Sequence, residues 1–347
     1  MTPSRKGPGL DFKNGVVDLS HGGGGRAMAQ LVEELFVSAF DNEMLRQRND
    51  QASFTVEGGR LVMTTDGYVI SPLFFPGGDI GSLAVHGTVN DVAMAGAVPL
   101  VLSASFIIEE GLPLADLRRI VLSMAAASRA AGVPVVTGDT KVVEKGKGDG
   151  LFIATTGIGR VPDGLTISGD LALPGDAILV SGTMGDHGIA VMSQRKSLGF
   201  ETTLASDSAA LHTLVAAMVA EVPSIHCLRD PTRGGLASTL NELADQSGVG
   251  MIIEEAAIPV RAEVRGACEL LGLDPLYVAN EGKLIAIVPA AEAQRLLAVM
   301  RGHPLGANAA IIGRVVEDSH RFVQMETSFG GRRVVDWLAG EQLPRIC

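Results

Sequence analysis

The sequence predicts an α+β protein of two domains, each built on a sheet with helices packed against it, followed by a flexible C-terminal tail. Three observations carry this. Apolar residues make up 46% of the 347-residue chain and charged residues only 19%, which is enough to fill two cores. The first half reads as strands, helix, strand, helix, strands, an order that lays helices on one face of a sheet. Turn residues then cluster at Val161-Pro-Asp-Gly164 and Pro174-Gly175-Asp176, beyond which the same mixture returns without an obvious sequence repeat. The divisions expected are 1–40 for a glycine-rich segment and helix, 41–163 and 164–326 for the two domains, and 327–347 for the tail.

Taken in order, the polar start ends in His21-Gly-Gly-Gly-Gly-Arg26 and leads into a helix carrying Leu31, Leu35 and Val37. β-Branched residues alternate on either side of Gly58-Gly59, so 53–57 and 60–65 read as a hairpin. Apolar residues at helical spacing (Ile80, Leu83, Ala84, Val92) predict a helix from Asp79, a good N-cap, to Ala95. A strand follows at 99–108. Pro113 suits the first turn of a second helix, whose stripe Leu117, Ile120, Val121 and Met124 runs to Gly132. Strands at 133–137 and 151–157 close the first domain. In the second, strands are expected at 177–181, 250–254, 284–288 and 309–316, and helices at 208–221, 235–247, 263–271 and 290–300.

The composition excludes several classes of function. A formal charge of −11 without a basic run argues against nucleic acid and suits a protein that collects divalent cations. The sequence has neither a spanning apolar stretch nor a charged-then-apolar leader, so a cytoplasmic protein away from membranes is expected. Three cysteines at 227, 268 and 347, without paired ligand spacing, predict neither a disulfide framework nor structural zinc. Cys227 and Cys268 sit in apolar surroundings and read as small buried hydrophobes; Cys347 is the last residue.

Carboxylates beside glycine or amide residues recur at expected loops: Asp66-Gly67, Asn90-Asp91, Gly138-Asp139-Thr140-Lys141, Asp230-Pro-Thr-Arg233-Gly234-Gly235 and Asn280-Glu281-Gly282-Lys283. Any one of them is also what a turn or cap would use. Together they can converge on Mg²⁺, which takes hard oxygen ligands and bridges carboxylates to phosphate. Gly234-Gly235, opening a helix after Arg233, adds backbone N–H groups able to hold an anion. A nucleoside triphosphate is the natural guest, yet neither a P-loop, a kinase signature set nor a dinucleotide fingerprint is present. His21, His187 and His226 lack paired ligand spacing, and only His21 is given a role, covering the nucleotide through its glycine loop.

These motifs, with Thr64-Thr-Asp66-Gly-Tyr68, Pro72-Leu-Phe-Phe-Pro-Gly-Gly-Asp79, Ser181-Gly-Thr-Met-Gly-Asp-His-Gly188 and the terminal Pro344-Arg-Ile-Cys347, resemble the HypE family of hydrogenase maturation proteins over nearly the whole length. The glycine motifs are shared with the wider PurM-like group of ATP-dependent enzymes, and the terminal tetrapeptide separates this branch. The resemblance implies a PurM-like fold, a homodimer through the N-terminal sheets, and ATP with Mg²⁺. It also implies a carbamoyl group delivered to Cys347 by a HypF carbamoyltransferase, dehydrated to a thiocyanate, and passed as cyanide to a HypC–HypD scaffold.

Dehydrating a primary amide requires turning its oxygen into a leaving group and removing two N–H protons. Phosphorylation by ATP meets the first need, through positioning and charge. The residues expected to organise metal and phosphate are Asp66, Asp91, Asp139 and Asp230, assisted by Asn90, Thr140, Arg233, Gly234 and His21. The resemblance supports Glu281 as the base; Lys141 is expected to polarise the oxygen or balance charge. A mobile tail is expected, since roughly 11 residues after Asp336 span on the order of 35 Å when extended. Two rivals remain open: a PurM-like enzyme acting on a free small substrate, as in selenophosphate or aminoimidazole-ribotide synthesis, and a non-catalytic carrier.

Overall fold

The computed structural model describes residues 9–22, 26–43, 56, 58–195, 203–338 and 345–346. Helix α1 (Arg26–Leu31) passes through a π-helical stretch (Val32–Val37) and a last turn (Ser38–Phe40). The second arm of the expected hairpin is strand β1 (Arg60–Tyr68). Most of its first arm, like residues 23–25 of the His21 loop, lies outside the described residues. A short ribbon, β2 (Phe74–Phe75) and β3 (Gly78–Asp79), precedes helix α2 (Ile80–Met94). Asp79 caps α2 as expected: its carboxylate accepts from the N–H groups of Gly81 and Ser82 while Ser82 answers its backbone N–H.

Strand β4 (Val98–Glu109), helix α3 (Leu114–Ala131), β5 (Val135–Val143) and β6 (Leu151–Val161) complete the N-terminal half. Its sheet has the order β1-β6-β4-β5. The helices cover one face, where the α3 stripe Leu117, Ile120, Val121 and Met124 is buried. The other face leaves Leu61, Met63 and Ile107 open, Met63 being 71% exposed. Strand β5 outruns its expected end because parallel pairing with β4 carries it to Val143, which places Asp139, Thr140 and Lys141 inside a strand rather than in a loop.

The C-terminal half is a seven-stranded sheet of order β13-β12-β9-β11-β7-β10-β8. These strands are β7 (Asp176–Val180), β8 (Cys227–Arg229), β9 (Gly250–Glu254), β10 (Ile285–Pro289), β11 (Ala310–Val316), β12 (Val323–Glu326) and β13 (Arg332–Val334). All of β7 is buried, as an inner strand covered on both faces must be. Its helices are α4 (Asp186–Ser193), α5 (His212–Glu221), α6 (Gly235–Ser247), α7 (Ala262–Leu271) and α8 (Ala293–Gly302). One core joins the halves: Val92, Ala93 and Val161 pack with Leu211, Leu214 and Met218.

Two segments differ from expectation. The helix expected from 208 begins only at His212, because Asn90 takes up the backbone before it, donating to the Ala209 carbonyl (3.0 Å) and accepting from the Leu211 N–H (2.7 Å). The described residues of the stretch expected to be a flexible tail, 327–338 and 345–346, are tied to the rest of the fold. Arg332–Val334 adds an edge strand to the sheet, Val335 is fully buried, and the far end returns to the N-terminal domain, where Ile346 bridges Ile70. Apolar burial and backbone pairing offset the entropy a free tail would keep. Cys347 itself lies outside the described residues.

Candidate functional site

An acidic cleft forms where the two halves meet. Strand β1 supplies Asp66 and Tyr68, α2 supplies Asp91, the turn after β8 supplies Asp230 and Arg233, and the turn before β10 supplies Glu281. These six line a cavity of about 170 Å³. It opens, through shared walls at Asp91, Asp230 and Arg233, into a larger one of about 640 Å³ reached by Thr64, Gly234 and Trp337. Close approach at the rim depends on Gly235, with φ at +59°, whose absent Cβ would sit 2.6 Å from the Leu276 carbonyl oxygen. The start of α6 therefore stands at the cavity wall, where the Gly235 N–H donates to the Thr232 carbonyl at 3.0 Å.

The carboxylates repel one another. Thr64 donates to Asp91 at 2.8 Å, yet desolvation and then the Asp66 charge hold the Asp91 carboxyl above its ordinary range. Asp230 is pushed up to about 7, by desolvation first and by Asp91 next. Glu281, 2% exposed, is driven well above the usual carboxylate range by desolvation, with Asp230 the strongest neighbouring charge. Its Oε1 is buried without a hydrogen-bond partner. A buried acceptor left open among like charges is costly, and such a cluster fits a cationic or proton-bearing guest.

The same repulsion has a stability signature. Below about pH 4 Asp230 is protonated in the folded and the unfolded chain alike. As pH rises the unfolded chain loses this proton first and the folded chain only near 7, so the folded state loses stability through that window. Asp230→Asn should therefore melt progressively higher relative to the parent as pH goes from 5 to 8, by differential scanning fluorimetry. A difference independent of pH would show that Asp230 is not the titrating group.

Glu281 is held in place by the rest of its own motif and by Asp207, which no motif singled out. Its N–H donates to Asp207 Oδ1 at 3.1 Å, and Lys283 binds the other Asp207 oxygen at 3.0 Å. A Cβ on Gly282 would meet the Asp207 carbonyl oxygen at 1.8 Å, so only glycine lets the two segments pass. Asn280 accepts from the Gly185 N–H at 2.7 Å and donates to the Pro231 carbonyl at 2.9 Å, tying the Glu281 turn to the one that carries Asp230. The signal available in sequence was the polar cluster Ser206-Asp207-Ser208 after a break in helical periodicity.

The expected residues thus divide. Asp66, Asp91, Asp230, Arg233, Gly234 and Glu281 come together. Asp139, Thr140, Lys141 and His21 do not join them. Asp66 is in register with Thr155, Ala104 and Gly138 across the sheet, so it stands about 14 Å from β5 at ordinary strand spacing. Asp139 and Lys141 share the opposite, outer face, 3.2 Å from each other. Thr140 is buried at that far edge, and His21 is bonded to Asp18 in a turn beside β5. Four aspartates around one ion is therefore corrected: among the described residues no group of three or more His, Cys, Asp or Glu could hold a metal. Asn90 is also corrected, since its amide is occupied by the carbonyls of Ala209 and Glu281 and the N–H of Leu211, which makes it a clamp between the halves.

The tail frames the cleft twice. Trp337 and Leu338 line the larger cavity. The chain end docks beside Tyr68, a wall of the smaller one, through the Ile346–Ile70 bridge, and the Arg345 side chain pairs with Asp149. Cys227 and Cys268 are buried and their thiols pushed by burial to about 12 and about 11, in keeping with a structural role. Among the described residues no helix is long and apolar enough to cross a membrane.

Two sheet domains meeting at an acidic cleft define the class. Residues 48–161 match the AIR synthase related protein N-terminal domain and residues 174–326 its C-terminal domain, a PurM-like enzyme architecture. The chain is 72% identical to the carbamoyl dehydratase HypE of Azotobacter vinelandii over 97% of its own length and 99% of that protein's. It is also similar to a crystal structure of hydrogenase maturation protein HypE in complex with ATP, with TM-score 0.91, 54% identity, and coverage of 95% of this chain and 99% of that one. A HypE–HypF complex structure matches with TM-score 0.78 and 50% identity over 88% of this chain and 99% of that one. The chain belongs to the carbamoyl dehydratase HypE family.

Proposed function

We propose that this protein uses ATP to dehydrate a carboxamide carried as a thiocarbamate on its own Cys347, giving a thiocyanate that supplies cyanide for nickel–iron hydrogenase maturation. The observation that carries the proposal is Glu281: a buried carboxyl with an open oxygen, lining a cavity whose other wall, Tyr68, leads to the seat of the tail's end. The family of the chain, one relative solved with ATP and another with HypF, supports the same reaction.

In this scheme the amide oxygen takes the γ-phosphoryl of ATP, two protons leave nitrogen, and phosphate departs as the carbon–nitrogen triple bond forms. Asp91 and Asp230 stand where the phosphates enter, with Arg233 and the start of α6 offering positive partners. No group of three carboxylates among the described residues could hold a Mg²⁺ ion, so within one chain the phosphate charge would be met by Arg233 and the start of α6. Glu281 takes an amide proton, for which its raised pKa suits it. ATP turnover in the presence of a carbamoyl donor and a HypF carbamoyltransferase should equal the amount of adduct dehydrated. Equal ATP turnover without the donor would contradict the coupling.

A free-standing substrate is disfavoured because the tail's end is seated beside the cleft, and a mere carrier because a carrier has no use for Glu281. The reaction is placed in the cytoplasm, with HypF delivering the carbamoyl group and a HypC–HypD scaffold receiving the cyanide. The protein is proposed to act as a homodimer through the outer face of its N-terminal sheet, where Leu61, Met63 and Ile107 are exposed beside Asp139 and Lys141. Burial of that face would bring the Asp139, Thr140, Lys141 and His21 edge to serve a nucleotide held with a second copy. Met63→Glu should accordingly shift sedimentation to a monomer at micromolar concentration, and a dimer of unchanged stability would place the interface elsewhere.

A further inference from the structure

We propose that His187, set by Ser206, is a positioning residue that latches the C-terminal tail through the Ile346 carbonyl; this rests on the assignment of Cys347 as the carrier. His187 lies in the first turn of α4 and is 0% exposed. Its Nε2 stands 2.8 Å from the Ile346 carbonyl and its Nδ1 2.7 Å from the Ser206 hydroxyl.

A carbonyl can only accept, so Nε2 carries the proton and donates it to Ile346. Nδ1 of the neutral ring is then an acceptor and takes the hydroxyl proton of Ser206, whose oxygen in turn accepts from the Ser208 N–H at 3.0 Å. Ser206 thus selects the tautomer that can hold the tail. Phe75 meets the imidazole edge-on at 5.4 Å between ring centres, and Ser206 N–H donates to the Pro76 carbonyl at 2.7 Å, so ring and strap are both fixed.

The tail is read through its backbone and one side chain. Ile346 is 3% exposed within the N-terminal core, and the Arg345 carbonyl accepts from the Ser71 N–H at 3.1 Å and from Arg195 at 3.0 Å. His187 holds the last carbonyl before Cys347, a backbone contact that does not depend on what the sulfur carries. The strap that holds His187 also holds the base: Asp207, next after Ser206, accepts the Glu281 N–H. Tail and base are therefore placed from one rigid segment, which is what keeping a reacting pair in near-attack geometry requires.

The test compares full-length parent, His187→Phe and Ser206→Ala by hydrogen–deuterium exchange of the C-terminal peptide, without substrate, after thermal melts confirm folding. Phenylalanine keeps the packing against Phe75 and removes the donor. Exchange at the chain end should rise about tenfold in His187→Phe and less in Ser206→Ala, as expected for losing a buried hydrogen bond. Affinity for Mg·ATP should be unchanged, and dehydration should fall in kcat while carbamoyl loading continues. A folded His187→Phe whose end exchanges no faster than the parent's overturns the latch; if that variant fails to fold, Ser206→Ala decides in the same way. Faster exchange in a protein whose parent never carries a carbamoyl group would keep the latch and sink the carrier assignment instead.

Discussion

Cys347→Ala should abolish carbamoyl loading and all downstream dehydration while leaving Mg·ATP affinity nearly unchanged. The chain has three thiols, and two are disqualified by their surroundings: burial pushes Cys227 to about 12 and Cys268 to about 11, so neither is a thiolate at neutral pH. The acidic cleft proposed to take the nucleotide draws on β1, α2, the turns before α6 and β10, and Trp337 and Leu338, and none of its lining residues is Cys347. Isothermal titration with Mg·ATP and intact mass after exposure to carbamoyl donor and transferase separate the two effects. Residual loading in the variant would move the carrier to another residue, and a large loss of ATP affinity would make the tail part of the nucleotide site.

Glu281→Gln should load normally and then dehydrate about 10²–10⁴-fold more slowly, the usual loss for a general base. Glutamine keeps the size and the planar end of the side chain. The backbone N–H that anchors this residue to Asp207 is untouched, so the turn should hold. What is lost is the ability to take a proton in a buried position where the parent carboxyl has an unpartnered oxygen. A neutral amide cannot add to the repulsion that holds the Glu281 carboxyl above its usual range, so a slow variant at least as stable as the parent cannot be dismissed as misfolded.

Periodicity and capping made the fold legible. Asp79 and Ser82 form the expected box, the α3 stripe is buried, and Gly235 opens α6 where turn chemistry placed it. The helix expected from 208 failed because its start is decided by Asn90, 119 to 121 residues away in sequence, and such a clamp leaves no local pattern. The site was half legible for the same reason. Motif chemistry picked out Asp66, Asp91, Asp230 and Glu281, which converge. It also grouped Asp139 and Lys141 with them, although the pleat turns those two side chains to the opposite face and the sheet sets them at its far edge. Residues that act through position, such as Asp207 and His187, carried no motif of their own; their roles come from contacts between segments 74 and 159 residues apart in sequence.

The most direct test is intact-mass analysis of parent and Glu281→Gln protein incubated with carbamoyl donor, HypF carbamoyltransferase and ATP. The parent should gain one carbamoyl group at its C-terminal peptide and then lose one water, whereas Glu281→Gln should accumulate the carbamoyl adduct without losing water. Loss of water at the parental rate in the Glu281→Gln protein, or a carbamoyl group found anywhere but on Cys347, would contradict the proposed reaction.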